Sequence, residues 1–151
     1  GTTVNAGVIG GGTVANAVPE HAWCKVDVRF AKSEGIERID RDFKDIAARQ
    51  YVNDTTTVVK PLIVFPAMER LSASETLFAR AEAVAETYGF PKMKAIAVGG
   101  GSDSANLTAV GIPTLCALGV KGEFNHTERE WADEASLYER TKLLMTFLCE
   151  L

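Results

Sequence analysis

The sequence predicts a mixed α/β protein whose two halves differ in sheet architecture. In the first half, residues 22–30 alternate between apolar and polar side chains, which is typical of a strand with one covered face. In the second half, short apolar runs alternate with helical patterns, which is typical of βα units in a parallel sheet. We therefore predict an antiparallel α+β portion in the order ββαβ, followed by part of a parallel α/β portion in the order αβαβα.

The first half contains the clearest individual elements. Residues 3–9 and 22–30 are predicted strands, and residues 55–65 are rich in β-branched residues and predict a third, with Pro61 favouring an edge or a bulge. Residues 35–50 change to the helical period. Their apolar stripe consists of Ile36, Ile39, Phe43, Ile46 and Ala47.

The second half begins after a boundary at residues 66–71, so we expect domains at 1–68 and 69–151. Ser72 and Glu75 have capping-box spacing, and the helix that they open is expected to stop at Gly89. Strands are predicted at 94–98 and 114–118, with a short helix between them. Asp133 is a candidate cap for a final helix, whose predicted core-facing stripe is Leu137, Thr141, Leu144, Met145 and Leu148. Two parallel strands with three helices make a thin core, so both portions look incomplete.

Composition excludes several function classes. The chain has 151 residues and a net charge of −4, which argues against a nucleic-acid partner because binding to phosphates favours a basic excess. No apolar run approaches the roughly 18 residues that a membrane helix needs. The three cysteines are unclustered and favour neither a disulfide framework nor a CxxC metal site. A cytoplasmic, reducing compartment is therefore expected.

Four positions could carry chemistry, and each also has a purely structural interpretation. The glycines before Ser102 follow a predicted strand and could form an oxyanion or carboxylate cradle, or simply a tight turn. His126 lies in a polar loop after another strand and could ligate a metal, act with Ser102 as a hydrolytic pair, or be a surface residue. Arg29 could clamp a carboxylate or belong to a cross-strand charge ladder. Asn16 is most simply a turn residue.

These residues together resemble a known family. Residues 11–20, GGTVANAVPE, followed by Val26-Asp27-Val28-Arg29, resemble the GG-x-x-x-N-x-x-P…D-x-R signature of the dizinc aminoacylases and carboxypeptidases. That family includes glutamate carboxypeptidase, acetylornithine deacetylase and succinyl-diaminopimelate desuccinylase. The later GGSD, GIP and HTxxE segments, at 100–103, 111–113 and 126–130, resemble the end of the family's catalytic domain.

The resemblance implies a ferredoxin-like dimerisation portion, also called the lid, and a zinc-exopeptidase-like portion. It implies that Asn16 and Arg29 bind a substrate carboxylate, across the subunit interface in dimeric members. Gly101 and Ser102 would contact substrate near the scissile carbonyl, and His126 would be a terminal zinc ligand. The implied partners are a small peptide or N-acyl amino acid and a second copy, paired through the lid.

The chain departs from the family pattern by omission. It has no H-x-D ligand pair, bridging Asp, Glu-Glu pair, further acidic ligand or lid histidine. We therefore expect a C-terminal fragment of an enzyme that holds two zinc ions and removes a C-terminal, glutamate-like amino acid or an N-acyl group. The chain alone is expected to be inactive, with no catalytic residue of its own. The alternative is a non-catalytic dimerisation or binding module.

Overall fold

The computed structural model describes all 151 residues, which divide into unit 1, Gly1–Glu69, and unit 2, Arg70–Leu151. Unit 1 contains strands β1 (Thr3–Gly11) and β2 (Ala22–Arg29) and helix α1 (Glu34–Ala48). Unit 2 contains helices α2 (Ser72–Thr87), α3 (Ser104–Ala109) and α4 (Glu134–Cys149), and short strands β3 (Gly122–Glu123) and β4 (Trp131–Ala132). The predicted mixed α/β class is confirmed. None of the helices has both the length and the apolar character that crossing a bilayer requires.

Unit 1 is built on an antiparallel hairpin. The register pairs Thr3 with Arg29 at the open end and Gly11 with Ala22 at the loop end, with a bulge between Ala6 and Val8. Beyond Gly11, the Gly12 amide donates to the His21 carbonyl at 3.1 Å and so closes the base of the loop. Gly12 has φ of +73°, in the left-handed region that glycine adopts without steric cost. The strands predicted at 3–9 and 22–30 are confirmed.

Helix α1 buries only part of its apolar stripe. Ile36, Ile39 and Phe43 are half-buried, whereas Ile46 is 50% exposed. At the start of the helix, the Ser33 amide donates to the Glu69 carboxylate at 2.9 Å, which anchors the end of unit 1 to this helix. No residue of unit 1 is fully buried. Its stability therefore depends on the hairpin ladder and on partial burial.

Unit 2 has a small apolar core between α2 and α4. Its buried members are Ala81, Ala85, Met93, Leu143 and Phe147. Helix α2 ends as predicted at Gly89, which has φ of +72°. The Phe90 amide donates to the Ala85 carbonyl at 2.8 Å, and the Gly89 amide donates to the Glu86 carbonyl at 3.3 Å, which is the Schellman pattern. The start differs from the prediction, because Leu71 rather than Ser72 occupies the cap position.

Three predicted strands are not formed. Residues 55–65, 94–98 and 114–118 adopt no strand structure, and the only sheets are the two-stranded pairs β1–β2 and β3–β4. The β3–β4 hairpin lies where only a polar loop was expected. A strand is stable when its backbone pairs with a neighbour, and an isolated two-stranded parallel pair cannot cover both of its faces. Apolar side chains of these segments, such as Ile63, Ile96 and Val98, are consequently exposed.

The buried face of α4 also differs from the prediction. Asp133 caps the helix as predicted, accepting a hydrogen bond from the Ala135 amide at 3.0 Å. The buried residues, however, are Ser136, Leu143 and Phe147. The predicted stripe of Leu137, Thr141, Leu144, Met145 and Leu148 is exposed. Helix α4 carries apolar residues on both sides, so either side could have faced the core. Helix α2 packs against the side that contains Phe147.

Candidate functional site

Asn16 lies in the loop that joins β1 to β2. It occupies a turn, next to a hydrogen bond from the Ala17 amide to the Val14 carbonyl at 3.4 Å. The loop residues around it are exposed. The turn interpretation of Asn16 is therefore confirmed, and its exposed position leaves a role in binding as a prediction.

Arg29 is the last residue of β2. Its Nε donates to Oδ2 of Asp27 at 2.8 Å, and both side chains are more than half exposed. Residues two apart on a strand share a face, so this pair runs along β2 rather than across the hairpin. Arg29 thus makes an ion pair with a residue of its own strand.

The register places Asn16 and Arg29 at opposite ends of the hairpin. Arg29 pairs with Thr3 at the open end, whereas the loop that carries Asn16 leaves the sheet at Gly11 and Ala22. The seven residue steps from Ala22 to Arg29 cover about 23 Å at the usual rise of a strand. One carboxylate and its hydrogen bonds of about 3 Å do not bridge such a separation. The structure therefore does not bring these two residues together within one copy of unit 1.

In unit 2, Ser102 meets a partner that the sequence analysis missed. Its Oγ lies 3.0 Å from Cys116 Sγ and accepts a hydrogen bond from the Ser104 amide at 3.2 Å. Hydrogen bonds from Ser102, which contributes most, and from Ser104 lower the pKa of the Cys116 thiol below its usual value. The sequence offered one hint of this contact. Residues 94–98 and 114–118 were predicted as strands of one parallel sheet, so Ser102, which follows 94–98, could lie near 114–118.

Gly101 belongs to a loop whose backbone does not demand glycine. Neither Gly100 nor Gly101 has a positive φ, and a Cβ added at either position would meet no atom within 4 Å. The local fold therefore tolerates a side chain at both positions. A contact between Gly101 and substrate stays a prediction.

His126 lies in the loop between β3 and β4. It is exposed and has φ of +65°, and its backbone amide donates to the Glu130 carboxylate at 3.2 Å. The Thr127 hydroxyl donates to the Phe124 carbonyl at 2.7 Å, and the Arg129 guanidinium stacks 4.7 Å from the Phe124 ring centroid. The loop is thus held by its own contacts, and these leave the imidazole on the surface rather than in an apolar interior.

The residues of this chain do not fit a complete zinc site. No group of three or more His, Cys, Asp or Glu residues is arranged to hold a metal. A catalytic zinc site uses three protein ligands, so His126 could supply only one of them. The Ser102–His126 hydrolytic pair is not formed either, because the Ser102 hydroxyl contacts Cys116 and no hydrogen bond joins it to His126.

Comparison with known protein families gives a match for the first part of the chain. Residues 1–55 match the family model of the M20 peptidase dimerisation domain. The matched segment contains the whole hairpin and α1, and therefore both Asn16 and Arg29. It supports the M20 peptidase family for this part of the chain without distinguishing among its members. A search of curated proteins found no match.

Proposed function

We propose that this chain is part of a peptidase-family hydrolase, in which unit 1 pairs two copies of the chain and binds the free carboxylate of the substrate. The observation that carries the proposal is the match of residues 1–55 to a peptidase dimerisation domain. The proposed reaction is zinc-dependent hydrolysis of an amide bond. It releases a C-terminal, glutamate-like amino acid or removes an N-acyl group.

Arg29 is the proposed carboxylate ligand. Its guanidinium carries five N–H donors in a planar fork, which matches the two oxygens of a carboxylate. The contact between Nε and Asp27 fixes the orientation of this fork on the exposed face of β2. A fixed guanidinium loses less side-chain entropy on binding than a mobile one, which favours affinity.

Asn16 is proposed to act on the same carboxylate from a second copy. The hairpin register separates Asn16 from Arg29 along one copy of unit 1. In a two-fold dimer, the loop end of one hairpin can approach the open end of the other, and symmetry then creates two equivalent sites. The proposal therefore requires a homodimer formed through unit 1.

Unit 2 contains three further residues for which we propose a role. Gly101 and Ser102 would approach the scissile amide, and His126, which is exposed, would be one zinc ligand. Zinc, when bound, would polarise the carbonyl and activate water. The other zinc ligands would come from polypeptide outside these 151 residues, so this chain is expected to be inactive alone. Three unpaired cysteines favour a cytoplasmic location.

A second candidate function is a non-catalytic dimerisation or binding module. It is favoured by a family match that covers a dimerisation domain. This module would pair through unit 1 without recognising the carboxylate of a peptide. Carboxylate binding therefore separates the two functions.

The test is an isothermal calorimetric titration of the chain with N-acetylglutamate. Replacing Arg29 with Ala is expected to weaken binding about 10- to 100-fold, as loss of a charge-assisted bidentate contact does. Arg41→Ala, on the exposed side of α1, is the matched control and is expected to leave Kd unchanged. Equal affinity of wild type and Arg29→Ala, or no binding by wild type, would reject the carboxylate site and favour the module.

A further inference from the structure

The buried face of α4 contains an arginine. Ser136, Arg140, Leu143 and Phe147 follow one another at intervals of four, three and four, so they lie on one side of the helix. Ser136, Leu143 and Phe147 are buried, and Arg140 is half-buried among them. Charged side chains rarely occupy such a position unless an opposite charge pairs with them.

The two polar residues of this face differ in their hydrogen bonds. The Ser136 hydroxyl donates to the Asp133 carbonyl at 2.7 Å and accepts from the Lys121 amide at 2.8 Å. Arg140 Nε, in contrast, is shielded from solvent and has no hydrogen-bond partner. Glu139, the adjacent acid on α4, pairs with Lys121 at 3.1 Å instead. Native proteins pair nearly all of their shielded donors, because an unsatisfied donor lowers stability.

Arg140 lines a small pocket between α2 and α4. The other side chains that line it are apolar, among them Met93, Leu118 and Phe147. A buried water usually makes about three hydrogen bonds, and Arg140 is the only polar side chain here that could contribute one. The pocket therefore suits an occupant that brings its own negative charge better than it suits a water molecule.

We propose that Arg140 pairs with the carboxylate of an Asp or Glu side chain, carried by a polypeptide segment outside these 151 residues. The inference rests on the proposed function in one respect only, namely that this chain is part of a larger protein. A carboxylate supplies an acceptor for Nε and a charge opposite to that of the guanidinium. A backbone carbonyl would supply the acceptor without the charge.

The lining of the pocket defines the rest of this partner. Apolar side chains surround Arg140, so they would also surround the carboxylate that pairs with it. Polar groups next to that carboxylate would lose water without gaining hydrogen bonds. The segment is therefore expected to present a single acidic side chain among apolar ones.

The pairing has a consequence for the stability of this chain alone. A shielded charged group that has no compensating contact destabilises the folded state, and an apolar residue of similar volume removes this cost. Methionine at position 140 keeps an unbranched, flexible side chain and has no N–H donor. We therefore expect Arg140→Met to stabilise unit 2.

Urea unfolding with formate as the probe tests the pairing. Fluorescence of Trp131 in a Trp23→Phe background reports unit 2, and formate is the smallest carboxylate. Replacing chloride with about 0.5 M formate at constant ionic strength is expected to raise the urea midpoint by about 0.3 M with arginine at position 140, and by less than about 0.1 M in Arg140→Met. In chloride, Arg140→Met is expected to have a midpoint about 0.5 M higher than the arginine protein.

Lys142→Met is the matched control, because Lys142 is exposed on the same helix and does not line the pocket. It is expected to change neither the midpoint in chloride nor the response to formate. Equal responses to formate in Arg140→Met and the arginine protein would overturn the proposal, as would a midpoint of Arg140→Met in chloride no higher than that of the arginine protein. These midpoints report unit 2, whereas the titration with N-acetylglutamate reports the Arg29 site, so failure of one proposal is distinguishable from failure of the other.

Discussion

The two units of this chain differ in how much they bury and in the role proposed for them: buried residues lie in unit 2, whereas the proposed carboxylate ligands lie in unit 1. Unit 2 holds every fully buried residue, in the core between α2 and α4 and in the helices around it. Unit 1 has none, yet it contains the matched dimerisation domain and both proposed carboxylate ligands. The hairpin register fixes Arg29 at the end of β2, and it needs no deep core for this purpose. The position of a proposed binding residue can therefore be well defined where burial is slight.

The core of unit 2 is expected to be the part of the chain most sensitive to truncation of a side chain. Phe147 is 5% exposed and packs between the two helices. Phe147→Ala is expected to lower the free energy of unfolding of unit 2 by about 3–5 kcal/mol, from lost burial and the cavity left behind. Urea unfolding followed by Trp131 fluorescence in a Trp23→Phe background measures unit 2 alone.

The matched variant in unit 1 is Phe43→Ala. Phe43 is only half-buried, so Phe43→Ala is expected to cost roughly 1–2 kcal/mol, read by Trp23 in a Trp131→Phe background. Should Phe147→Ala prevent folding, Phe147→Leu keeps most of the volume and should cost about 1 kcal/mol. Equal losses at Phe43 and Phe147 would show that the two units do not differ in packing.

The sequence predicts elements well where one periodic pattern dominates. The alternation at 22–30 and the single stripe of α1 identify β2, α1 and their covered faces. On α4, apolar residues on both sides offered two possible buried faces. Packing against α2 buries the face that contains Leu143 and leaves Leu144 exposed. The strands expected at 94–98 and 114–118 had the right composition, but a strand also requires a paired backbone, which local sequence does not specify.

The candidate site is predictable as a set of residues more than as a geometry. The family signature identifies Asn16 and Arg29, but their separation follows from the hairpin register, which the signature does not state. Pairing of Ser102 with Cys116 depends on contact between residues 14 positions apart, and the sequence hinted at it only through the parallel sheet predicted for this half of the chain. Exposure of His126 agrees with its prediction in a polar loop.

A smaller effect concerns Glu69 at the end of unit 1. Hydrogen bonds from the Ser33 amide and hydroxyl hold the pKa of Glu69 below its usual value of 4.5. Because the pKa is lower in the folded state, the stabilisation is complete above about pH 4.5 and is lost as the pH falls through the lower folded value. Glu69→Gln is expected to reduce the fall in the stability of unit 1 between pH 6 and about pH 3.5.

The contribution of Glu69 to the stability of unit 1 is expected to be small, because its carboxylate is exposed and solvent screens its interactions. Urea midpoints reported by Trp23 at the two pH values measure it. Glu86→Gln, an exposed carboxylate on α2, serves as the control and should leave the pH dependence of unit 1 unchanged. A Glu69→Gln profile that coincides with wild type would show that the contact with Ser33 does not stabilise α1.

We expect one carboxylate site to take Asn16 from one copy and Arg29 from another, and mixing two defective variants tests this shared site. Asn16→Ala and Arg29→Ala are each expected to bind N-acetylglutamate weakly. Random pairing makes half of the dimers mixed, and each mixed dimer regains one intact site of two, so about a quarter of the wild-type sites should return. No recovery in a mixture that native mass spectrometry shows to contain mixed dimers would contradict the account.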